Sequence, residues 1–194
     1  MSGRGHAAEA APQKPNAVSK PLILTIGHST RDWESFLNLL HGSGVQLLAD
    51  VRTVPRSRRN PQFNREVLPE TLEPAGIDYV HLAKLGGLRK ARPDSTNTGW
   101  ENLSFRGYAD YMQTEPFRSG LDELIELASQ KRTAIMCAEA VPWRCHRSLI
   151  ADALVARGIS VEHILSSTRR RPHSLTSFAR VAAGQVSYPS PLFR

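Results

Sequence analysis

The chain has 194 residues, of which 40% are hydrophobic and 22% charged, and its formal net charge is +7. This length suits one domain with its own core, and no apolar run approaches the 18 residues of a membrane span. Its two cysteines are too few for a disulfide scaffold, and the N-terminus lacks the apolar centre of a secretory signal. The composition therefore predicts a cytoplasmic globular protein with reduced thiols and no membrane segment.

The positive charge is concentrated in two segments. Residues 52–65 contain five arginines and no acid, and residues 165–194 contain five more arginines, again without an acid. This distribution favours an anionic partner, a small molecule or a nucleic acid, over a generally basic fold. Solvated tails explain the charge at the chain ends equally well. The 52–65 segment directly follows a predicted strand, which favours a functional role there.

In chain order, residues 1–20 are rich in Pro, Ala, Gly and Lys and predict a disordered leader. A single domain is expected over 21–183, followed by a tail over 184–194. Short, β-branched apolar runs predict strands at 21–26, 45–51, 77–82, 133–138 and 160–165. Apolar stripes and capping residues predict helices at 31–41, 64–75, 106–114, 116–130 and 145–157, with partial helix at 174–183.

Alternation of strands and helices predicts an α/β fold. The expected architecture is one mainly parallel sheet of about five strands flanked by helices, a Rossmann-like three-layer arrangement with right-handed crossovers. Residues 88–104 are polar and predict a long loop, a length at which loops are usually functional or mobile. The pattern leaves the strand order and the oligomeric state open.

Polar or glycine-rich residues follow four of the predicted strands. In an open α/β sheet, ligands bind beyond the carboxyl ends of the strands. The residues at those ends are His28 and Ser29, Asp50 and Arg52, His81 with Gly86 and Gly87, and Cys137 with Glu139. We therefore expect them to converge on one active or binding site.

The densest cluster lies between the fourth strand and the following helix. Cys137 and Glu139 are two residues apart and share a strand face, and Cys145, His146 and Arg147 open the helix. A helix N-terminus lowers the pKa of a cysteine and also favours a bound phosphate or carboxylate. His146 is a candidate general base or acid, and the planar fork of Arg147 can hold an anion.

Each candidate also has a purely structural explanation. Cys137 could be a packed core thiol, Glu139 a helix cap or an ion-pair partner of Arg147, and His146 a solvated first-turn residue. His28 and Ser29 could form a turn hydrogen bond, and Asp50 and Arg52 could form an ion pair. His81 could occupy a core position, and Gly86 and Gly87 could form a plain turn.

Zinc binding is the alternative to nucleophilic catalysis at these residues. Cys137, Cys145 and His146, together with His28 or His81, would supply sulfur and imidazole ligands. Their spacing matches no standard finger or ribbon, and the arginines in the same loop would repel a cation. We therefore expect neither a metal nor another cofactor.

Five ordered motifs carry a family resemblance: residues 25–29, 50–52 with Pro55 and Ser57, 85–87, 137–139 and 145–147. Together they resemble a bacterial family known as domain of unknown function 488, over about residues 22–175. Residues 161–164 and 172–173 are similar to the end of that pattern. The resemblance implies a small α/β domain and a shared polar signature, and it supplies no reaction. The Asp50–Arg52 strand end is also similar to rhodanese-type sulfurtransferases, whose active loop is not reproduced here.

Two functions fit these residues. In an enzyme, Cys145 or Cys137 would be the nucleophile, His146 or Glu139 would move protons, and Arg52 and Arg147 would hold a phosphate-bearing substrate such as a nucleotide or nucleic acid. In a non-catalytic nucleic-acid-binding or regulatory module, residues 52–65 and 169–171 would contact phosphates. The sequence shows no aromatic-rich stacking surface or helix-turn-helix pattern in support of the second function.

Overall fold

The structure, a computed structural model, describes residues 21–190. Its strands are β1 (Leu22–Gly27), β2 (Leu47–Asp50), β3 (Asp78–His81), β4 (Thr133–Cys137), β5 (Ser160–Ile164), β6 (Arg170–Pro172), β7 (Arg180–Ala182) and β8 (Gln185–Ser187). Its α-helices are α1 (Trp33–Gly42), α2 (Leu68–Leu72), α3 (Leu103–Tyr111), α4 (Glu115–Gln130) and α5 (Arg147–Ala156). The predicted long loop is present, since no helix or strand lies between Leu85 and Leu103.

Six strands form one sheet in the order β3-β2-β4-β1-β5-β6. The first five are parallel to one another, and β6 joins the edge antiparallel to β5. β7 and β8 form a separate antiparallel hairpin. The predicted fold class, a mainly parallel α/β sheet flanked by helices, is confirmed.

Helices cover both faces of the sheet because the strands alternate their side chains between two apolar cores. On β4, Ala134 and Met136 join the core under α1 and α2, whereas Ile135 joins the core under α3, α4 and α5. β1 therefore leads to a helix on one face, and its neighbour β4 leads to a helix on the other. Such a reversal opens a crevice at the carboxyl ends of the two strands, where ligands bind in open α/β sheets.

Two predicted helices differ in the structure. The helix expected over 64–75 is reduced to α2, which a 3-10 turn extends at Glu73–Ala75; prolines at 69 and 74 each remove a backbone donor. The prediction of a partial helix over 174–183 is wrong, because this stretch is irregular up to β7. There Thr176 gives its backbone N–H and its hydroxyl to the carboxylate of Asp152 on α5. That distant acceptor replaces the local bonds of a helix.

Residues 184–190, assigned above to the tail, contain β8 and Tyr188. Tyr188 is fully buried, and its hydroxyl donates to Asp152 at 2.8 Å. The leader over 1–20 and residues 191–194 lie outside the described residues. Within 21–190, none of the helices combines the length and apolar character that a bilayer crossing requires.

Shortening Tyr188 tests how strongly this segment stabilises the domain. Tyr188→Ala should lower the free energy of unfolding by about 3–5 kcal/mol, as for other buried aromatics. Tyr188→Phe should cost about 1–3 kcal/mol, because it removes only a hydrogen bond to a buried carboxylate. Denaturant unfolding measures both, with the exposed Ser190→Ala as control. Equal stability of all three variants would contradict the packing described here.

Candidate active site at the sheet edge

The predicted site residues form two clusters on opposite faces of the sheet, at the carboxyl ends of β1, β2 and β4. The first, the thiol cluster, consists of Cys137, Cys145 and His146 and lies on the α5 face. The second, the arginine cluster, consists of His28, Asp50 and Arg52 and lies on the α1 face. Backbone hydrogen bonds join the clusters, including one from His28 N–H to the Cys137 carbonyl at 3.0 Å.

The thiol cluster is organised around the ring of His146. Its Nδ1 lies 3.6 Å from the sulfur of Cys145 and 3.9 Å from that of Cys137. Its Nε2 lies 2.9 Å from the carbonyl oxygen of Val51. Because a carbonyl can only accept, Nε2 carries a proton. Nδ1 is therefore the nitrogen that faces both sulfurs, where it can accept from a thiol or, when protonated, donate to a thiolate.

The two thiols share their protons unequally. A hydrogen bond from Cys137 lowers the pKa of Cys145 well below its usual range; burial opposes this shift, while a hydrogen bond from His146 and the charges of His146 and Arg147 add to it. The same Cys145 partner, together with burial, raises the pKa of Cys137. The pair therefore holds one negative charge, at Cys145, with the Cys137 thiol as its donor. Cys145 is only 5% exposed, whereas Cys137 and His146 are partly exposed, so solvent reaches the cluster at those two residues.

Arg147 is fully buried beside the thiol cluster. One terminal nitrogen donates to Thr25 Oγ1 at 3.2 Å, and the other donates to the carbonyl of Glu139. Within residues 21–190 it forms no ion pair with a carboxylate, and its Nε has no hydrogen-bond partner. A buried cation without a carboxylate favours an anion nearby, which agrees with its lowering of the Cys145 pKa.

The arginine cluster is a buried ion pair with a histidine attached. Arg52 contacts Asp50 at 2.6 Å and also donates to the Phe63 carbonyl at 2.6 Å. His28 Nδ1 lies 2.8 Å from the Ser29 carbonyl, so Nε2 is the acceptor for Arg52 Nη1 at 3.2 Å. Burial, with a smaller contribution from the Arg52 charge, lowers the pKa of His28 to about 4. His28 is thus neutral at physiological pH and is held as an acceptor.

A cavity of about 360 Å³ opens beside the arginine cluster. Its lining residues are His28, Ser29, Thr30, Arg52, Val54, Arg56, Ser57, Asn60, Ala138, Glu139 and Ala140. The only carboxylate among them belongs to Glu139, which is exposed and accepts the Val141 N–H at 3.1 Å. Two arginines, hydroxyl groups and an amide therefore face one space, a combination suited to a small anion.

The remaining predicted residues, His81, Gly86 and Gly87, contact residues of the two clusters or their neighbours. His81 Nε2 lies 2.8 Å from the Arg52 carbonyl. Gly87 packs flat on the His146 ring, where an added Cβ would lie 2.9 Å from Nδ1, and Gly86 packs on Thr53. A side chain at either glycine would clash with its neighbour, and the lack of one at Gly87 leaves room for the His146 ring. Asp50, Arg52 and Arg147 are buried. The other four arginines of the 52–65 loop, Arg56, Arg58, Arg59 and Arg65, are exposed.

Two contributors were missed from the sequence. Thr25 accepts from Arg147 in the middle of an apolar strand, where its lone hydroxyl was the available signal. Phe63 stacks on the His28 ring, with centroids 4.4 Å apart. No local pattern indicates that stacking, because Phe63 enters from a 3-10 turn at Pro61–Phe63.

The thiol cluster could also hold a metal ion. One ligand atom from each of Cys137, Cys145 and His146 lies within 4.8 Å of the other two. The bond from His146 to the Val51 carbonyl is the type of contact that orients metal-binding histidines. Three such ligands with an open fourth position suit zinc.

Comparison with known proteins gives a family and nothing closer. The family model described as "Domain of unknown function DUF488" matches residues 32–154. The matched range contains the thiol cluster, Asp50, Arg52 and Arg147, while residues 25–29, His163 and His173 lie outside it. No curated protein and no solved structure matches the chain.

Gly27 tests the packing around Arg147. A Cβ there would lie 1.9 Å from the Glu139 carbonyl oxygen and 2.8 Å from an Arg147 nitrogen. Gly27→Ala should therefore lower the free energy of unfolding by about 3 kcal/mol, the upper range for overpacking. The control Gly76→Ala meets nothing within 4 Å and should cost only about 1 kcal/mol for its positive φ. A smaller loss for Gly27→Ala than for the control in denaturant melts would refute the close approach.

Acid should destabilise the fold through His28. The pKa of this base is lowered in the folded state, so the unfolded chain takes up the proton first as pH falls. Stability should therefore be complete above about pH 6.5 and decline by about 2 kcal/mol towards pH 4. Unfolding of wild type and His28→Gln across pH 4–8 measures the difference. A variant with the wild-type slope, matching the exposed control His41→Gln, would exclude His28 as the cause.

Proposed function

Because the chain belongs to the family of domain of unknown function DUF488, whose description names no reaction, we propose its function from the site itself. The protein is an enzyme in which the Cys145 thiolate attacks a phosphate-bearing substrate. The observation that carries the proposal is the pairing of Cys145 with His146, whose second nitrogen is locked on the Val51 carbonyl.

The groups needed for nucleophilic catalysis are in contact. A cysteine acts as the thiolate, and an adjacent histidine that a third group orients is the usual activating partner. Here the third group is the carbonyl of Val51, and Arg147 adds a buried positive charge. Cys137 donates to the thiolate and can return it a proton.

The covalent step can be written with every proton assigned. The Cys145 sulfur forms a bond to the electrophilic atom of the substrate while the bond to the leaving group breaks. The leaving group takes its proton from Nδ1 of the His146 imidazolium. Water then cleaves the sulfur–substrate bond, giving its proton to Nδ1 and restoring the thiolate–imidazolium pair.

The anion is best placed in the cavity beside Arg52. Arg56 is exposed there, while Arg52 is fixed by Asp50 and does not have to be ordered on binding. Glu139, whose backbone carbonyl accepts from Arg147, forms the wall between this cavity and the thiol cluster. A phosphate held by the arginines would thus lie on the side of the sheet edge opposite the thiolate, with the reacting group reaching past residue 139.

Alkylation across pH tests the thiolate. The rate at Cys145 should be nearly constant between pH 5 and 8, because the thiolate is already formed, whereas an ordinary thiol reacts about tenfold faster per pH unit in this range. Site-resolved mass spectrometry after iodoacetamide pulses measures it. Cys137→Ser keeps a hydroxyl donor and should keep the flat profile, while Cys137→Ala and His146→Gln should restore the rise with pH. A tenfold rise per unit in the wild type would refute an activated Cys145.

Zinc binding is the second candidate, favoured by the convergence of three ligand atoms within 4.8 Å. Metal analysis of protein purified without chelators separates the two functions. About one zinc per chain, lost in Cys145→Ser and in His146→Gln, would replace the nucleophile with a metal centre. Metal-free protein with a flat alkylation profile would support the enzyme.

A further inference from the structure

A second cavity, of about 370 Å³, is lined in part by Trp143, which follows Glu139 in the segment between β4 and α5. It is lined by Trp100, Trp143, Ser148, His163, Arg171, Pro172, His173, Ser174 and Thr176. None of these residues is acidic, and none takes part in the proposed reaction. The volume is within the range of small-molecule sites.

A chain of hydrogen bonds fixes the inner wall of this cavity. Distances along it are 2.8 Å from Thr25 Oγ1 to His163 Nδ1, 3.0 Å from His163 Nε2 to His173 Nδ1, and 2.9 Å from His173 Nε2 to Asp152 Oδ1. Burial, with the charges of His173 and two arginines, lowers the pKa of His163 to about 4. Its ring is therefore a neutral aromatic surface at physiological pH.

The nitrogens of both imidazoles are occupied by this chain. His163 and His173 can therefore offer a ligand their ring faces and edges, but no further N–H donors. Trp143 adds an indole that is 61% exposed. The inner wall and the rim thus present aromatic surface, which suits a flat ring that can stack.

Positive charge at the rim comes from Arg171. Its guanidinium lies over the Trp143 ring, 5.9 Å from the centroid, and it forms no ion pair with a carboxylate in the part of the chain that the structure describes. Its neighbour Arg170, by contrast, is paired with Glu162 at 3.1 Å. Arg171 is thus available to an anion that enters next to the stacked ring.

From these contacts we infer that this cavity binds a nucleotide, with the base against Trp143 and the imidazole rings and the phosphate on Arg171. A free mononucleotide and an unpaired nucleotide of a single-stranded nucleic acid share this chemistry. No residue that lines this cavity takes part in the proposed thiolate reaction, so the two proposals can be tested separately.

Calorimetric titration with adenosine 5′-monophosphate, adenosine and a single-stranded oligonucleotide tests the site. Adenosine 5′-monophosphate should bind saturably, and Trp143→Ala should weaken it roughly tenfold, as for loss of one stacking partner. Arg171→Ala should weaken the monophosphate and leave adenosine unchanged. Binding of the oligonucleotide alone, with the same dependence on both residues, would support the site with nucleic acid as the source.

Controls separate this site from the rest of the molecule. Both substituted side chains are exposed, so thermal unfolding should be unchanged, and Arg180→Ala removes an exposed arginine outside the cavity. Cys145→Ser should leave nucleotide binding intact, so failure of the thiolate proposal does not affect this one. Absence of binding by all three ligands, measurable binding of adenosine and its monophosphate with equal affinity, or binding indifferent to Trp143 and Arg171 would overturn the inference.

Discussion

The buried charge of Arg147 is the constraint on which the rest of the site depends. A guanidinium with no exposed surface and no carboxylate partner among residues 21–190 is costly, and two neutral acceptors, Thr25 and the Glu139 carbonyl, compensate it only in part. Gly27 is required beside it because any side chain would enter the same space. The remaining compensation would come from a negative sulfur at Cys145, whose pKa the Arg147 charge helps to lower. The acidity of the cysteine and the stability of the fold therefore have a common origin.

Arg147 also connects the two cavities. A continuous chain of hydrogen bonds links Arg147 through Thr25, His163 and His173 to Asp152. Both charged ends lie on α5 and both are fully buried. Asp152 is satisfied by three further donors, two from Thr176 and one from Tyr188. The C-terminal segment thus completes a network that begins at the thiol cluster.

The strand-end rule predicted much of this site from sequence, and its failures have definite causes. Cys145, His146 and Cys137 meet as expected, because a short loop joins β4 to α5. Whether Asp50 joins them could not be read, since it depends on register: Asp50 pairs with Met136, so its side chain leaves the opposite face of the sheet from Cys137. The sequence also predicted that Cys145 opens the helix, whereas α5 begins at Arg147 and Cys145 lies buried two residues before it.

The division into two clusters has a mechanical consequence. Val51 lies between Asp50 and Arg52 in the chain; its carbonyl holds His146 on one face while its neighbours form the ion pair on the other. Any displacement of the Arg52–Asp50 pair would pull on the same peptide segment. Packed interiors transmit such strain because they have little free volume. The position of the ion pair and the position of the imidazole that faces the sulfurs are therefore linked through the backbone of Val51.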